Sequence, residues 1–271
     1  MNGPVGDTTA AAEAERLRQA EELEAAAARE RVEFLGGLIG DRAKGALLDV
    51  GCGNGEAVQR WREKGWRSFG LDNSMYRLGR WLALGRGGMP LVLADAGALP
   101  FRDGAFQIAV SSGMIEHVGV REASHPYRVE AVPGRDDQRE RVLSEMLRVT
   151  DPRGVTLVDC PNGTFPVDFW HGDTVGSFRL HRIPDVLLPT PGQFRRWGRR
   201  LGFRPRWRPL SGRLRFRQVG RHWWGRILRP LMSLYIEGLD LAVRAGLGRL
   251  AAPAYPYLVV QLQRDRDTGA P

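Results

Sequence analysis

Leu47-Leu48-Asp49-Val50-Gly51-Cys52-Gly53-Asn54-Gly55 decides the fold. An apolar run, Ala46 to Val50, ends in three glycines at alternate positions, and a helix-compatible stretch, Glu56 to Lys64, follows. A glycine turn between strand and helix lets the backbone approach a ligand, because no Cβ intervenes. It also aims helix N-terminal N–H groups at that ligand. The spacing is not that of a dinucleotide fingerprint, which needs G-x-G-x-x-G. Here the third glycine comes one residue early and Glu56 stands in its place.

Four further segments extend the pattern. Arg67 to Ser74 reads as a second strand ending in Asp72, 23 positions after Asp49. An acid there can accept hydrogen bonds from both ribose hydroxyls of an adenosine ligand; it can also cap a helix, as can Asn73-Ser74 before Met75. Pro90 to Ala96 reads as a third strand carrying Ala94-Asp95-Ala96, and it continues into Gly97-Ala98-Leu99-Pro100-Phe101-Arg102-Asp103-Gly104-Ala105-Phe106. A fourth strand, Gln107 to Ser112, leads into Gly113-Met114-Ile115-Glu116-His117-Val118. Arg141 to Val149 and Asp151-Pro152-Arg153-Gly154 form a helix and turn before a fifth strand.

In this order, over residues 46–162, these segments resemble the motifs of the class I S-adenosylmethionine-dependent methyltransferases, of the bacterial small-molecule and glycan type (methyltransferase domain 11). Gln107 replaces the usual Asp and Arg153-Gly154 the usual Gly-Gly; neither touches the expected cofactor contacts. The resemblance implies an α/β, Rossmann-like, seven-stranded and mostly parallel sheet with helices on both faces and an antiparallel last strand. It implies S-adenosylmethionine as cofactor, held by Asp49, Gly51, Cys52, Gly53, Asn54, Gly55, Asp72, Asn73, Ser74, Met75, Ala94, Asp95, Ala96, Ser112 and Gly113. The acid matching Asp95 meets the adenine amino group in relatives.

The chain has 271 residues, 42% hydrophobic, enough for one enlarged domain with a real core. It has no run of 18 apolar residues and no signal-like start, so a cytoplasmic protein without a spanning helix is expected. Cys52 and Cys160 read as reduced thiols. Residues 1–35 read as a tail and a helix, Thr9 to Leu35, with a thin apolar stripe of Leu17, Leu23, Val32, Phe34 and Leu35. That helix either covers the cofactor or packs on the core edge. Residues 36–271 read as a single methyltransferase domain. Its second half carries a helix over Pro189-Thr190-Pro191-Gly192-Gln193-Phe194 to Gly202-Phe203, with Phe194, Trp197 and Leu201 on the core face. A sixth strand, Arg204 to Leu210, and a seventh, Tyr255 to Gln263, follow. Three stretches exceed the minimum: 119–136, 163–188 and 211–252. They are expected as helical insertions at the carboxyl edge, where open α/β sheets bind ligands, and so as the acceptor pocket.

Net charge is +9, and from Arg179 to Pro230 there are 15 arginines against one acid, Asp185, with Trp197, Trp207, Trp223 and Trp224 interleaved. This reads as a solvated basic face. It equally suits a surface for an anionic substrate or for peripheral contact with the inner face of a membrane through residues 211–252. RNA is a third reading, but no segment resembles an RNA-binding module, so nucleic acid is not an expected partner. Asp159-Cys160-Pro161-Asn162 does not fit the amino-methyltransferase signature N/D-P-P-Y/F. The following stretch to His171 resembles methyltransferases encoded with polysaccharide and glycolipid genes, which points to a small-molecule, sugar or lipid-linked acceptor.

Methyl transfer to a neutral hydroxyl needs a general base. His117, just past the fourth strand, is the candidate, the alternative being that Glu116 and His117 only cap and shape the pocket. A neighbouring sulfonium would depress its pKa and keep it neutral. His171, His181 and Asp168 are weaker base candidates. In ubiquinone-pathway O-methyltransferases a glutamate three residues before the Glu-His pair helps bind a metal; Gly113 stands there, so no metal is expected. A rival reading is a non-catalytic binding protein that kept the fold. The residues do not give the oligomeric state.

Overall fold

The computed structural model describes residues 6–124, 126–172, 178–210 and 223–264. Helix α1 (Gly6–Ile39) precedes β1 (Ala46–Val50), α2 (Glu56–Glu63), β2 (Arg67–Asp72), α3 (Met75–Ala83), β3 (Leu91–Leu93) and β4 (Phe106–Ser112). After a 3-10 turn at Ile115–His117 come β5 (Val120–Ser124), β6 (Tyr127–Ala131), α4 (Arg135–Val149), β7 (Thr150–Pro161), β8 (Val167–Asp168) and β9 (Arg179–Leu180). The chain closes with α5 (Pro191–Leu201), β10 (Phe203–Trp207), α6 (Trp223–Ala242), α7 (Gly248–Ala251) and β11 (Tyr257–Arg264).

Seven strands make one sheet in the order β10-β11-β7-β4-β1-β2-β3, parallel except for β11, which runs against both neighbours. The Rossmann-like expectation is met. The chain builds outward from β1 to β3, then returns to place β4 on the other side of β1. That reversal opens a crevice at the carboxyl ends of β1 and β4, where such sheets bind ligands.

Strand β1 is buried along its whole length because both faces are covered. Leu48 and Val50 pack on one side with Leu143 and Met146 of α4 and with Phe194 and Trp197 of α5. Leu47 packs on the other with Ala28, Val32, Leu35 and Ile39 of α1 and with Trp61 of α2. The α1 residues recur at helical spacing, so the second half of α1 is a core helix. Of the expected stripe, Val32 and Leu35 are buried and Phe34 is half-buried. Leu17 and Leu23 lie outside the described side chains. Helix α5 begins with a capping box between Thr190 and Gln193, with Pro191 at its first turn.

Among the described residues, two of the three insertions form strands and not the expected helices. Residues 119–136 contain the antiparallel hairpin β5–β6, and 163–188 contain the short pair β8–β9. Pro126 interrupts the first, and Pro166, Gly172 and Pro184 punctuate the second, so neither can sustain helix hydrogen bonding. The described part of 211–252 is helical as expected. It packs through Ile236 on Tyr255, Tyr257 and Val259 and touches Phe34 and Leu38 of α1. Buried Asp240 accepts hydrogen bonds from the Leu210 N–H and the Tyr255 hydroxyl, 2.7 Å each. Among the described residues no helix is long and apolar enough to cross a membrane.

Candidate active site

A pocket of about 230 Å³ sits over the crevice. Gly51, Asp72, Asn73, Ala94, Asp95, Ala96 and His117 line it, all of them expected from sequence. Leu71, Met114, Val118, Gly119, Gln138 and Val142 complete the wall. Gly51 has φ 79°, and a Cβ there would lie 2.5 Å from Met114 Cγ. Only glycine satisfies both the left-handed backbone and the close approach.

The amides of the glycine turn are already spent. Gly51 and Cys52 donate to the Leu71 carbonyl, Gly53 donates to Asp72 Oδ2 at 3.0 Å, and Gly55 donates to the Cys52 carbonyl. Asn54 donates through its backbone to Glu24 Oε1 at 3.2 Å. The turn therefore offers no row of free N–H groups to a phosphate. Glu24, from α1, also accepts from the Asn54 side chain (2.7 Å) and from Arg77 (3.2 Å), pinning helix to turn. Thus α1 packs on the core, as one of the two expectations had it, and also bonds the glycine turn. Cys52, Gly53, Asn54 and Gly55 form the turn without lining the pocket; the Cys52 thiol is buried against Val58 and Trp81.

The acids at the strand ends keep acceptor capacity in reserve. Asp72 takes one backbone N–H on each oxygen, from Gly53 and Ser74, both at 3.0 Å. A carboxylate has about four acceptor sites, so each oxygen can take one more donor. The cap of α3 is Ser74, whose hydroxyl accepts from the Arg77 N–H at 3.4 Å; Met75 is exposed. Asp95 accepts from the Gly97 N–H at 2.9 Å. Ser112 and Gly113, at the end of β4, donate to the side chain and carbonyl of Asp159. Asp49 lies below the turn with both carboxylate oxygens buried and without a hydrogen-bond partner among the described residues. Burial, with Asp159 and Asp72 nearby, pushes its pKa up to about 6 against the opposing pull of Arg31. Open acceptors on Asp72 fit the ribose of S-adenosylmethionine; Asp49, unpartnered but fully buried and not part of the pocket wall, fits its ammonium by charge and not by contact.

His117 projects from the 3-10 turn with its Nδ1 at 2.5 Å from Glu122 Oε1 of the β5–β6 hairpin. Burial pulls its pKa down, but the Glu122 hydrogen bond and the Glu116 charge outweigh that, and the net shift is upward. In the ligand-free protein it is therefore a stronger base than a free imidazole, opposite to the depression expected beside a sulfonium. Glu122 also accepts from Tyr127 at 2.7 Å. His171 lies against His117, ring centroids 5.1 Å apart, with its own Nδ1 at 2.9 Å from buried Asp168. His181 faces Asp185 instead. Arg139, buried in α4, donates to the carbonyls of Glu116 (2.6 Å), Val118 (3.1 Å) and Leu187 (2.7 Å), tying the His117 turn to the second insertion.

The surplus of arginine is partly structural. Arg179 bonds Asp168 and Asp185, and Arg196 and Arg200 of α5 pair with Asp136 and Glu140 of α4. Residues 211–222, including four of the arginines and His222, lie outside the described residues.

Residues 48–158 match the methyltransferase-domain family. Malonyl-[acyl-carrier protein] O-methyltransferase of Pseudescherichia vulneris is 32% identical over 97 residues, 36% of this chain and 38% of that protein. The chain thus aligns with well under half the length of that relative. Among solved structures, an S-adenosylmethionine-dependent methyltransferase from Mesorhizobium loti aligns at 17% identity over 84% of this chain and 94% of its own, TM-score 0.50. Geranyl diphosphate C-methyltransferase from Streptomyces coelicolor A3(2) aligns at 16% identity over 87% and 78%, TM-score 0.50. At these identities the structures speak to the fold. Residues 48–158 thus match a methyltransferase-domain model, and the chain carries the fold of the class I S-adenosylmethionine-dependent methyltransferases.

Proposed function

We propose that this chain methylates an oxygen of a small-molecule, sugar or lipid-linked acceptor, using S-adenosylmethionine. The observation that carries the reading is one pocket that joins Asp72 and Asp95, the cofactor acids, to His117. S-adenosylmethionine supplies a methyl group activated on a sulfonium, which an acceptor oxygen displaces in line. Asp72 would receive the ribose hydroxyls and Asp95 the adenine amino group, with Asp49 as counter-charge to the ammonium. Met114 and Val118 give the pocket apolar wall that excludes water. His117, held by Glu122, would take the acceptor proton on its other nitrogen. Holding the acceptor in line is worth roughly 7–11 kcal/mol by itself, so the hairpin and the second insertion, which flank His117, are as important as the base.

Replacing His117 with Ala should leave cofactor affinity within about twofold and slow turnover by roughly 100-fold or more. Full activity in a screen of hydroxylated glycans and lipids would remove His117 from the mechanism. The lipid-linked choice is supported by α6, where Leu231, Leu234 and Leu241 are 61%, 67% and 67% exposed at helical spacing. Such a row, on a chain of net charge +9, suits an anionic bilayer surface.

A further inference from the structure

Glu116, His117 and His171 each bring a ligand atom within 4.8 Å of the others. Glu116 and His117 come from the turn after β4, and His171 from the insertion after β8, so the chain crosses the site twice to assemble them. Both imidazoles are backed by carboxylates: Nδ1 of His117 on Glu122, 2.5 Å, and Nδ1 of His171 on Asp168, 2.9 Å. An ionised carboxylate only accepts, so in each neutral ring Nδ1 carries the proton and Nε2 keeps its lone pair. This is how metal-binding imidazoles are oriented and made more basic.

The third group is the telling one. Glu116 is 1% exposed, and its Oε2 is buried with no hydrogen-bond partner among the described residues. A carboxylate oxygen taken out of water without a donor is unfavourable unless a cation meets it. Arg139 feels the Glu116 charge but makes no hydrogen bond to this oxygen: its Nε and Nη2 go to the carbonyls of Glu116, Val118 and Leu187, and its Nη1 is itself buried and unpartnered among the described residues. Arg179 is committed to Asp168 and Asp185. Three carboxylates therefore surround two imidazoles, and Glu116, one of whose oxygens is orphaned, belongs to the cluster.

We propose that Glu116, His117 and His171 form a binding site for one divalent transition-metal ion of the zinc class. Two imidazole nitrogens favour such an ion over magnesium or calcium, which take oxygen ligands. Three protein ligands leave a coordination position open, the pattern of a catalytic rather than a structural site. His117 also lines the cofactor pocket, so that position faces acceptor space. Gly113 removes one ligand position from the turn, and His171 from the insertion supplies another. The site's use rests on the methyltransferase reading: in the loaded protein the ion would polarise an acceptor oxygen and make its proton acidic enough to leave to water, so His117 is base in the metal-free protein and ligand in the loaded one.

The full chain, stripped with a chelator and dialysed, is titrated with Zn²⁺ against a competing chromophoric chelator, with Mg²⁺ in a parallel titration. The expected result is one zinc per chain, tighter than magnesium by at least ~100-fold. Glu116→Gln and His171→Ala should each weaken zinc at least ~10-fold, while S-adenosylhomocysteine affinity and circular dichroism stay unchanged. His171→Asn, closer in shape, serves if His171→Ala fails to fold. Substoichiometric zinc, equal affinity for magnesium, or variants that bind zinc like the parent would overturn the site. Zinc binding is read without any methyl transfer: a chain that binds zinc but no S-adenosylhomocysteine keeps the site and loses the methyltransferase reading, and the converse holds.

Discussion

Asp49 shows what a buried carboxylate beside the glycine turn costs. Its carboxylate is buried, lacks hydrogen-bond partners among the described residues, and titrates near pH 6 instead of the ordinary 3.8. The native state thus holds this proton more tightly than the unfolded chain does. The stabilisation from the protonated form is complete below about pH 4 and is lost as pH rises through about 6. Above that, the ionised carboxylate is a liability of roughly 3 kcal/mol. Asp49→Asn should therefore raise the thermal midpoint at pH 8 while weakening S-adenosylmethionine binding, since the ammonium loses its counter-charge. The parent's affinity should fall as pH drops through about 6, and the variant's should not. A lower midpoint for Asp49→Asn at pH 8 would contradict this account of Asp49.

At the scale of elements, Arg139 is the joint between the conserved-looking sheet edge and the inserted segments. Three carbonyls from two loops converge on one buried guanidinium, and burial pulls its pKa down to about 10. Arg139→Leu leaves those carbonyls without donors, at roughly 2–4 kcal/mol of stability. It should also expose the 163–188 segment to limited proteolysis at a concentration that spares the parent; equal cleavage would mean that other contacts hold the insertion. The elements differ in how far the sequence reveals them. The ends of β1 and β2 coincide with expectation because an apolar run stops at Gly51 and at Asp72. Strand β3 is shorter than Pro90 to Ala96, because it pairs only with β2 and the chain turns away at Ala94. The insertions defeat periodicity: the hairpin and the β8–β9 pair are too short and too proline-broken to announce themselves. The cofactor acids were legible because each sits at a strand end within its own motif. Glu24 and Glu122 were not, because tertiary packing alone brings them to Asn54 and to His117; His171, a weaker base candidate by sequence, is brought against His117 in the same way.

Across the whole molecule, charge and apolar surface are arranged unevenly. Arg196 and Arg200 of α5 bind acids of α4, whereas α6 turns leucines outward. Vesicles containing an anionic lipid should pellet the full chain at low salt, and Leu231→Glu with Leu234→Glu should abolish this without changing the fold. Retention of binding by the double variant would assign it to other basic surface. Neither result alters the cofactor assignment, which depends on the opposite side of the sheet's switch point.

That assignment is tested most directly by calorimetric titration of the purified full chain with S-adenosylhomocysteine, beside Asp72→Ala. The account predicts parent affinity on the order of micromolar and a loss of roughly 1.5–3 kcal/mol in the variant, the worth of a charge-assisted ribose contact. A folded parent that takes up no ligand, or a variant that binds equally well, would contradict it.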